Sequence, residues 1–272
     1  MVELTDTHCH IHEAVSRAGF DSETRARYEK ASFPSVETML SDATGANVTR
    51  VLCVGTSLQD SQLAVAFVQD HSNTWASIGL HPHEAKHYVN DMGSLDQFAK
   101  LATDPKVVAV GECGLDYYYN HSDKKDQTAI LRSQIELALT HNLPMIFHVR
   151  DAFEDFWPIF DSYKGIRGVV HSFSATEQEL GEALSRGLFI GLNGIMTFTK
   201  DDNQLAAARA VPLSRLLLET DAPFLTPTPY RGKICEPKHI RVIAEFLAHL
   251  RGESLEILAD RTTKNASTLF GL

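Results

Sequence analysis

The chain has 272 residues, of which 43% are hydrophobic and 22% charged, with only 16 Gly and 10 Pro. That excludes collagen-like, low-complexity and disordered classes and suits one barrel-sized domain or two ordinary ones. The net charge of −10 and pI near 5.7 exclude a protein that holds nucleic acid through a broad basic surface.

The longest apolar run, residues 63–68, is far short of the roughly 20 residues that a membrane span needs. Glu3 and Asp6 interrupt any signal-like stretch, and four cysteines make no disulfide framework. The expectation is a cytoplasmic, monomeric protein with reduced thiols and no membrane association.

Short runs rich in Val, Ile and Leu recur along the chain, at residues 2–7, 50–54, 75–80, 107–111, 144–148, 168–171, 188–192 and 216–219. Runs of that kind read as buried parallel strands. Helical spacing fills the gaps: Leu131, Ile135, Ala138 and Asn142 share one face, as do Ile240, Ile243, Ala244, Leu247 and Leu250. Residues 16–34 are a polar insertion after strand one, expected at a lid or rim, and an extra helix is expected over residues 254–270. Eight strands interleaved with helices predict an α/β fold, a (β/α)8 TIM barrel forming one domain over residues 1–272. A doubly wound open sheet is the alternative, but no glycine-rich phosphate fingerprint follows the first strand.

In a barrel the chemistry sits at the C-terminal ends of the strands. Strand one ends Asp6-Thr7-His8-Cys9-His10, strand four Gly111-Glu112-Cys113, strand five His148-Val149-Arg150, strand six His171-Ser172, and strand eight Glu219-Thr220-Asp221. Strand side chains alternate, so His8 and His10 share a face and Cys9 points away. Glu112 aligns with Val108 and Val110, which leaves Cys113 facing away; both cysteines read as packed thiols. Glu219 shares its face with Asp221 and is expected one layer beneath the metal plane.

A single histidine at a strand end is more often a hydrogen-bonding residue than a ligand. Six candidates at one structural level on five strands are a constellation: His8, His10, Glu112, His148, His171 and Asp221. Six ligands exceed the three of a catalytic zinc, so two divalent ions fit better. His8, His10 and Asp221 would hold one and His148 with His171 the other, bridged by Glu112. Mixed imidazole and carboxylate ligation suits Zn, Mn, Ni or Co over oxygen-rich Mg or Ca sites. Arg150, Arg231 and Lys233 follow ligand-bearing strands and are placed to hold phosphate oxygens, Arg231 and Lys233 being equally compatible with a solvated loop. His81 and His83 follow strand three, where substrate contact and helix capping are both open. His12 lies beyond the first strand and reads as a weak candidate for metal or substrate. His71, His87, His121, His141, His239 and His249 read as surface or helix residues.

These motifs, with Gly79-Leu80-His81-Pro82-His83, Gly111 to Tyr117, His148 to Ala152, His171 to Ser174, Leu218 to Pro223, Arg231-Gly232-Lys233 and the closing Asn265 to Phe270, resemble TatD-like metal-dependent deoxyribonucleases from about residue 4 onward. The resemblance implies a metal-dependent hydrolase fold with the six residues as ligands, and nucleic acid (DNA, with RNA open) as a transient substrate. It implies a 3′→5′ exonuclease on single-stranded DNA. Asp221, as the carboxylate at the end of strand eight, is the expected proton acceptor as well as a ligand, and Glu112 the expected shared carboxylate. Three rim features depart from the pattern: His12-Glu13 after the first motif, Cys235 before Glu236-Pro237, and a long 16–34 loop. The competing readings are an amidohydrolase acting on a cyclic amide, lactone or ester, and a catalytically silent scaffold.

Overall fold

The computed structural model describes residues 2–15, 22–31 and 35–272. Eight strands form one sheet in the order β1 to β8: β1 (Leu4–Cys9), β2 (Val48–Val54), β3 (Thr74–Ile78), β4 (Val107–Asp116), β5 (Met145–Arg150), β6 (Gly168–Val170), β7 (Phe189–Leu192) and β8 (Leu216–Leu218). Helices separate successive strands. The chain divides into two compact units, Met1–Cys53 with Ser172–Leu272, and Val54–His171.

In the first unit β1 pairs with β2 and β7 with β8, all parallel. The last strand returns to the first. Cys9 and Ala222 form a parallel bridge, the His10 amide donates to the Ala222 carbonyl and the Asp221 amide to the His8 carbonyl, both at 2.8 Å. Strand order together with this return is the (β/α)8 topology expected from the sequence. The buried Asp6 carboxylate reinforces the seam by accepting from the Thr220 amide (2.9 Å) and hydroxyl (2.6 Å). Helix Leu255–Phe270 is the expected extra helix: Asn265 donates to the Leu213 and Leu216 carbonyls, and Arg50 reaches Ser267 and the Leu272 carbonyl. The middle of the 16–34 insertion is helix Glu23–Ala31; its remaining residues, 16–21 and 32–34, lie outside the described residues.

In the second unit β3 to β6 pair in parallel succession. Here the structure departs from the sequence expectation. The fourth strand, expected to end at Gly111-Glu112-Cys113, runs to Asp116, with every residue buried. Its register against β5 shifts between Val110 and Cys113, so three residues of β4 oppose two of β5. The side-chain alternation read across Val108, Val110 and Glu112 is therefore interrupted, and Glu112 instead alternates with Gly114 and Asp116. Gly114, at φ +152°, is where a Cβ would run into the His148 carbonyl oxygen, so only glycine permits this pairing.

The helix faces follow the hydrophobic spacing, with two differences. Leu131, Ile135 and Ala138 are buried in helix Lys124–His141, but Asn142 is its exposed C-cap at φ +53°, as suits a residue that tolerates the left-handed region. In helix Ile240–Arg251 Ala248 is buried, whereas Leu250 stays half exposed.

Gly114→Ala is expected to lower stability by about 3 kcal/mol or more, because both backbone conformation and ladder contact are lost. Urea unfolding followed by circular dichroism checks this, and a midpoint equal to the native one would contradict it.

Candidate metal centre

Within the first unit, β1 and the segment after β8 converge. His8 Nε2 lies 3.6 Å and His10 Nε2 3.5 Å from the same Asp221 Oδ1. Both imidazoles are buried and their rings meet edge to face, with centroids 5.1 Å apart. Spacings of about 3.5 Å exceed a good hydrogen bond and suit donor atoms placed around a common centre. Asp221 owes its aim to a left-handed backbone turn, φ +61°. Behind it Asp6 fixes Thr220 and accepts from the His8 amide at 3.2 Å. Burial pushes the Asp6 carboxyl up to about 8, even though its hydrogen bonds from Thr220 and His8 favour the charged form.

Glu219, two residues before Asp221, is held from two sides. Its carboxylate is buried and accepts from the Ser172 amide at 2.5 Å and the Asn193 side-chain amide at 3.5 Å. Cys9 is a packed thiol 3.6 Å from the Leu52 carbonyl, and its ladder partner is Cys53. His12 is fully buried in the turn Ile11–Ala14 and interacts with the Cys53 thiol; with burial opposing, the hydrogen bonds of Cys9 and His12 bring Cys53 down to about 6.

Within the second unit, one carboxylate oxygen is the focus. Glu112 Oε1 lies 2.8 Å from His148 Nδ1, 3.6 Å from His81 Nε2 and 3.7 Å from His171 Nε2. The sequence grouped Glu112, His148 and His171, and the structure brings them together. His81 joins them from β3, and with Glu112 and His148 it is close enough to share an ion. Its tautomer argues for another role. The His83 amide donates to His81 Nδ1 at 3.2 Å, so the proton sits on Nε2. Burial holds the His81 imidazole well below its usual range, which keeps it neutral.

Asp116 is the functional residue that strand-end reasoning missed. It is fully buried and its Oδ2 lies 2.9 Å from His148 Nε2 and 3.2 Å from His83 Nε2. Its signal was present: residues 112, 114 and 116 share a face once the strand continues. His148 is thus clamped at both ring nitrogens. Burial alone would lower it, but its bonds with Asp116 and Glu112 raise it to about 9. Asp116 falls well below the usual carboxylate range; burial opposes the fall and the two histidines drive it. Cys113 points away and packs against the Ile146 carbonyl at 3.7 Å.

At the rim, the Arg150 guanidinium lies over the Tyr118 ring at 4.1 Å and the Tyr119 ring at 5.0 Å, and both tyrosines are more than half exposed. Arg231 stacks on Phe198 at 3.8 Å and donates to the Thr226 carbonyl at 2.8 Å, so it is a pinned side chain rather than a free one. Lys233 is exposed, its ammonium 6.0 Å from the Tyr230 ring. His239, expected at the surface, is buried: it packs against Tyr230, its Nδ1 accepts from the Glu236 amide, and burial followed by the Lys238 charge lowers it to about 4. His121 is exposed, but its ring packs on His83 at 4.5 Å. His87 and His249 are exposed, as expected.

A family model described as TatD related DNase matches residues 5–271. The chain belongs to the TatD-related DNase family. It is 33% identical over 269 residues, 98% of both chains, to the uncharacterized metal-dependent hydrolase YabD of Bacillus subtilis. It is 36% identical to the 3′-5′ ssDNA/RNA exonuclease TatD of Enterobacter lignolyticus, over 87% of this chain and 93% of that protein. The solved TatD homologue YjjV of Escherichia coli aligns with a TM-score of 0.84 and 28% identity, covering 99% of this chain and 98% of its own. The family membership covers both units and each motif at the strand ends.

The raised His148 value has a sign that can be measured in the ion-free protein. Its folded-state value of about 9 stands above the unfolded 6.5, so the stability it contributes is complete below pH 6.5 and lost as pH rises through 9. The melting temperature of EDTA-treated protein is expected to fall by roughly 5 °C or more between pH 6.5 and 9.5. His148→Gln should lose most of that slope. An equal slope in the variant would show that another group carries it.

Proposed function

We propose that this chain is a metal-dependent phosphodiesterase that removes nucleotides from the 3′ end of single-stranded DNA, working as a cytoplasmic monomer of one domain. The observation that carries this reading is the convergence of imidazoles on single carboxylate oxygens: His8 and His10 on Asp221, and His148 and His171 on Glu112. Buried carboxylates are costly unless compensated, and such a donor set suits a divalent transition ion.

His8, His10 and Asp221 would hold an ion in the first unit, and Glu112, His148 and His171 one in the second. Bound there, such ions supply Lewis acidity and lower the pKa of a coordinated water towards about 7. The chain's own groups do the rest. Asp221 is half out of its seam, with a side chain 16% exposed, and takes the proton of the attacking water. His81 directs its Nε2 proton at a non-bridging phosphoryl oxygen, where its neutrality makes it a fixed donor at pH 7. Asp116 holds the ring of His148 in place from its far nitrogen. Arg150 and Lys233 hold phosphate oxygens further out, while the exposed faces of Tyr118 and Tyr119 stack unpaired bases, which a duplex does not offer. That platform is what favours a nucleic acid over a small cyclic amide, lactone or ester.

Glu112→Ala and Asp221→Asn are each expected to lower bound metal and to slow cleavage of end-labelled single-stranded DNA by about 100-fold or more. Metal analysis of purified variants, coupled to a gel assay with and without EDTA, checks both. Full metal content and full activity in both variants would overturn the assignment.

A further inference from the structure

A cleft of about 1140 Å³ opens in the first unit between helix Glu23–Ala31, the segment after β8 and the start of helix Ile240–Arg251. It exceeds the 300–1,000 Å³ typical of small-molecule sites. Its charge is opposite to that of the protein. Carboxylates outnumber Lys and Arg 35 to 25 along the chain. The cleft is lined instead by Arg27, Lys30, Lys233, Lys238 and Arg241, against Glu23 and Glu236. Tyr230, 39% exposed, supplies an aromatic face among them.

Three of the cations already have acidic neighbours: Arg27 with Glu23 at 2.8 Å, Arg241 with Glu245 at 2.6 Å, and Lys238 with Asp42 at 2.9 Å and Glu236 at 3.0 Å. Such exposed pairs are worth only about 0–1 kcal/mol each, so a polyanion can exchange into them. The cleft also connects to the ligand end of the unit. The Arg27 guanidinium lies 4.8 Å from the Phe224 ring, and that ring is 6.3 Å from the His10 ring. One aromatic side chain separates the basic wall from a candidate ligand.

We propose that this cleft is a second binding site, holding the phosphodiester backbone of the same single strand a few nucleotides away from the bond being cut. Positive groups spaced along a groove with an exposed aromatic ring are what a single strand requires, and a mononucleotide would leave most of the volume empty. The insertion after β1 supplies Arg27 and Lys30, so part of the basic wall stands on helix Glu23–Ala31. The inference rests on the proposed nuclease reading, but its test does not need catalysis.

The test compares native protein with the K30A/K238A/R241A variant, both stripped of metal in EDTA, by fluorescence anisotropy of a labelled twelve-nucleotide single strand and of a labelled dinucleotide. Native protein is expected to bind the longer strand much the tighter. The variant should lose roughly tenfold or more of that affinity, with little change for the dinucleotide, and its salt slope should fall by about 2, near 0.7 for each phosphate released. K30R/K238R/R241K keeps every charge and should restore binding, which separates lost charge from disturbed folding. Equal affinity of native protein and variant for the twelve-mer, or a native protein that binds both lengths alike, would overturn the cleft. Length-dependent binding by a protein that, reloaded with metal, cuts neither DNA nor RNA would instead leave the cleft standing and remove the nuclease reading.

Discussion

The pairing of β4 with β5 is the constraint on which the second unit's chemistry depends. It places Glu112 and Asp116 on one face and threads His148 between them, so that each ring nitrogen meets a carboxylate within 2.9 Å. Two buried carboxylates this close to one another are unfavourable alone, and the imidazole offsets both. The same close approach requires glycine at 114, where the two backbones come too near for any side chain. Local backbone geometry, burial and ligand placement are thus one problem with one solution.

The first unit solves a parallel problem by different means. There the short strand β8 ends at Leu218, and the residues that matter lie beyond its ladder. Asp6 grips Thr220, the His8 carbonyl receives the Asp221 amide, and Glu219 is tied to Ser172 and Asn193 below. These bonds hold Asp221 in its left-handed conformation and keep its oxygen facing His8 and His10. Hydrogen bonding to carboxylates replaces the ladder as the positioning device. It leaves the Asp221 side chain 16% exposed, against 6% for Glu112.

Charge is distributed with the same economy. A net charge of −10 repels a polyanion at long range, yet three arginines, Arg150, Arg231 and Arg27, lie over tyrosine or phenylalanine rings. At physiological salt, fields beyond about 8 Å are largely screened. The local arrangement therefore outweighs the total, and a transient grip on nucleic acid is compatible with an acidic protein.

Much of this was legible in the sequence because it follows from periodicity. Buried parallel strands are continuous apolar runs, which gave eight strands in order and the closing helix. Cys9 as a packed thiol was legible in the same alternation, whereas the alternation used to face Cys113 away is broken by the register shift after Val110. What alternation does not contain is a shift of register: the extra residue between Val110 and Cys113 extends β4 and turns Asp116 into a partner of His148. Nor does it contain tautomers, so the donor role of His81 waited on the amide of His83, and His239 was taken for a surface residue until burial beside Tyr230 showed otherwise. The sequence by itself determined which residue types reach the strand ends, since that depends on neighbours one and two positions away. Only the tertiary structure decided which of them share an oxygen or a proton, and where scattered cations meet in a cleft, because those depend on distances between segments far apart in the chain.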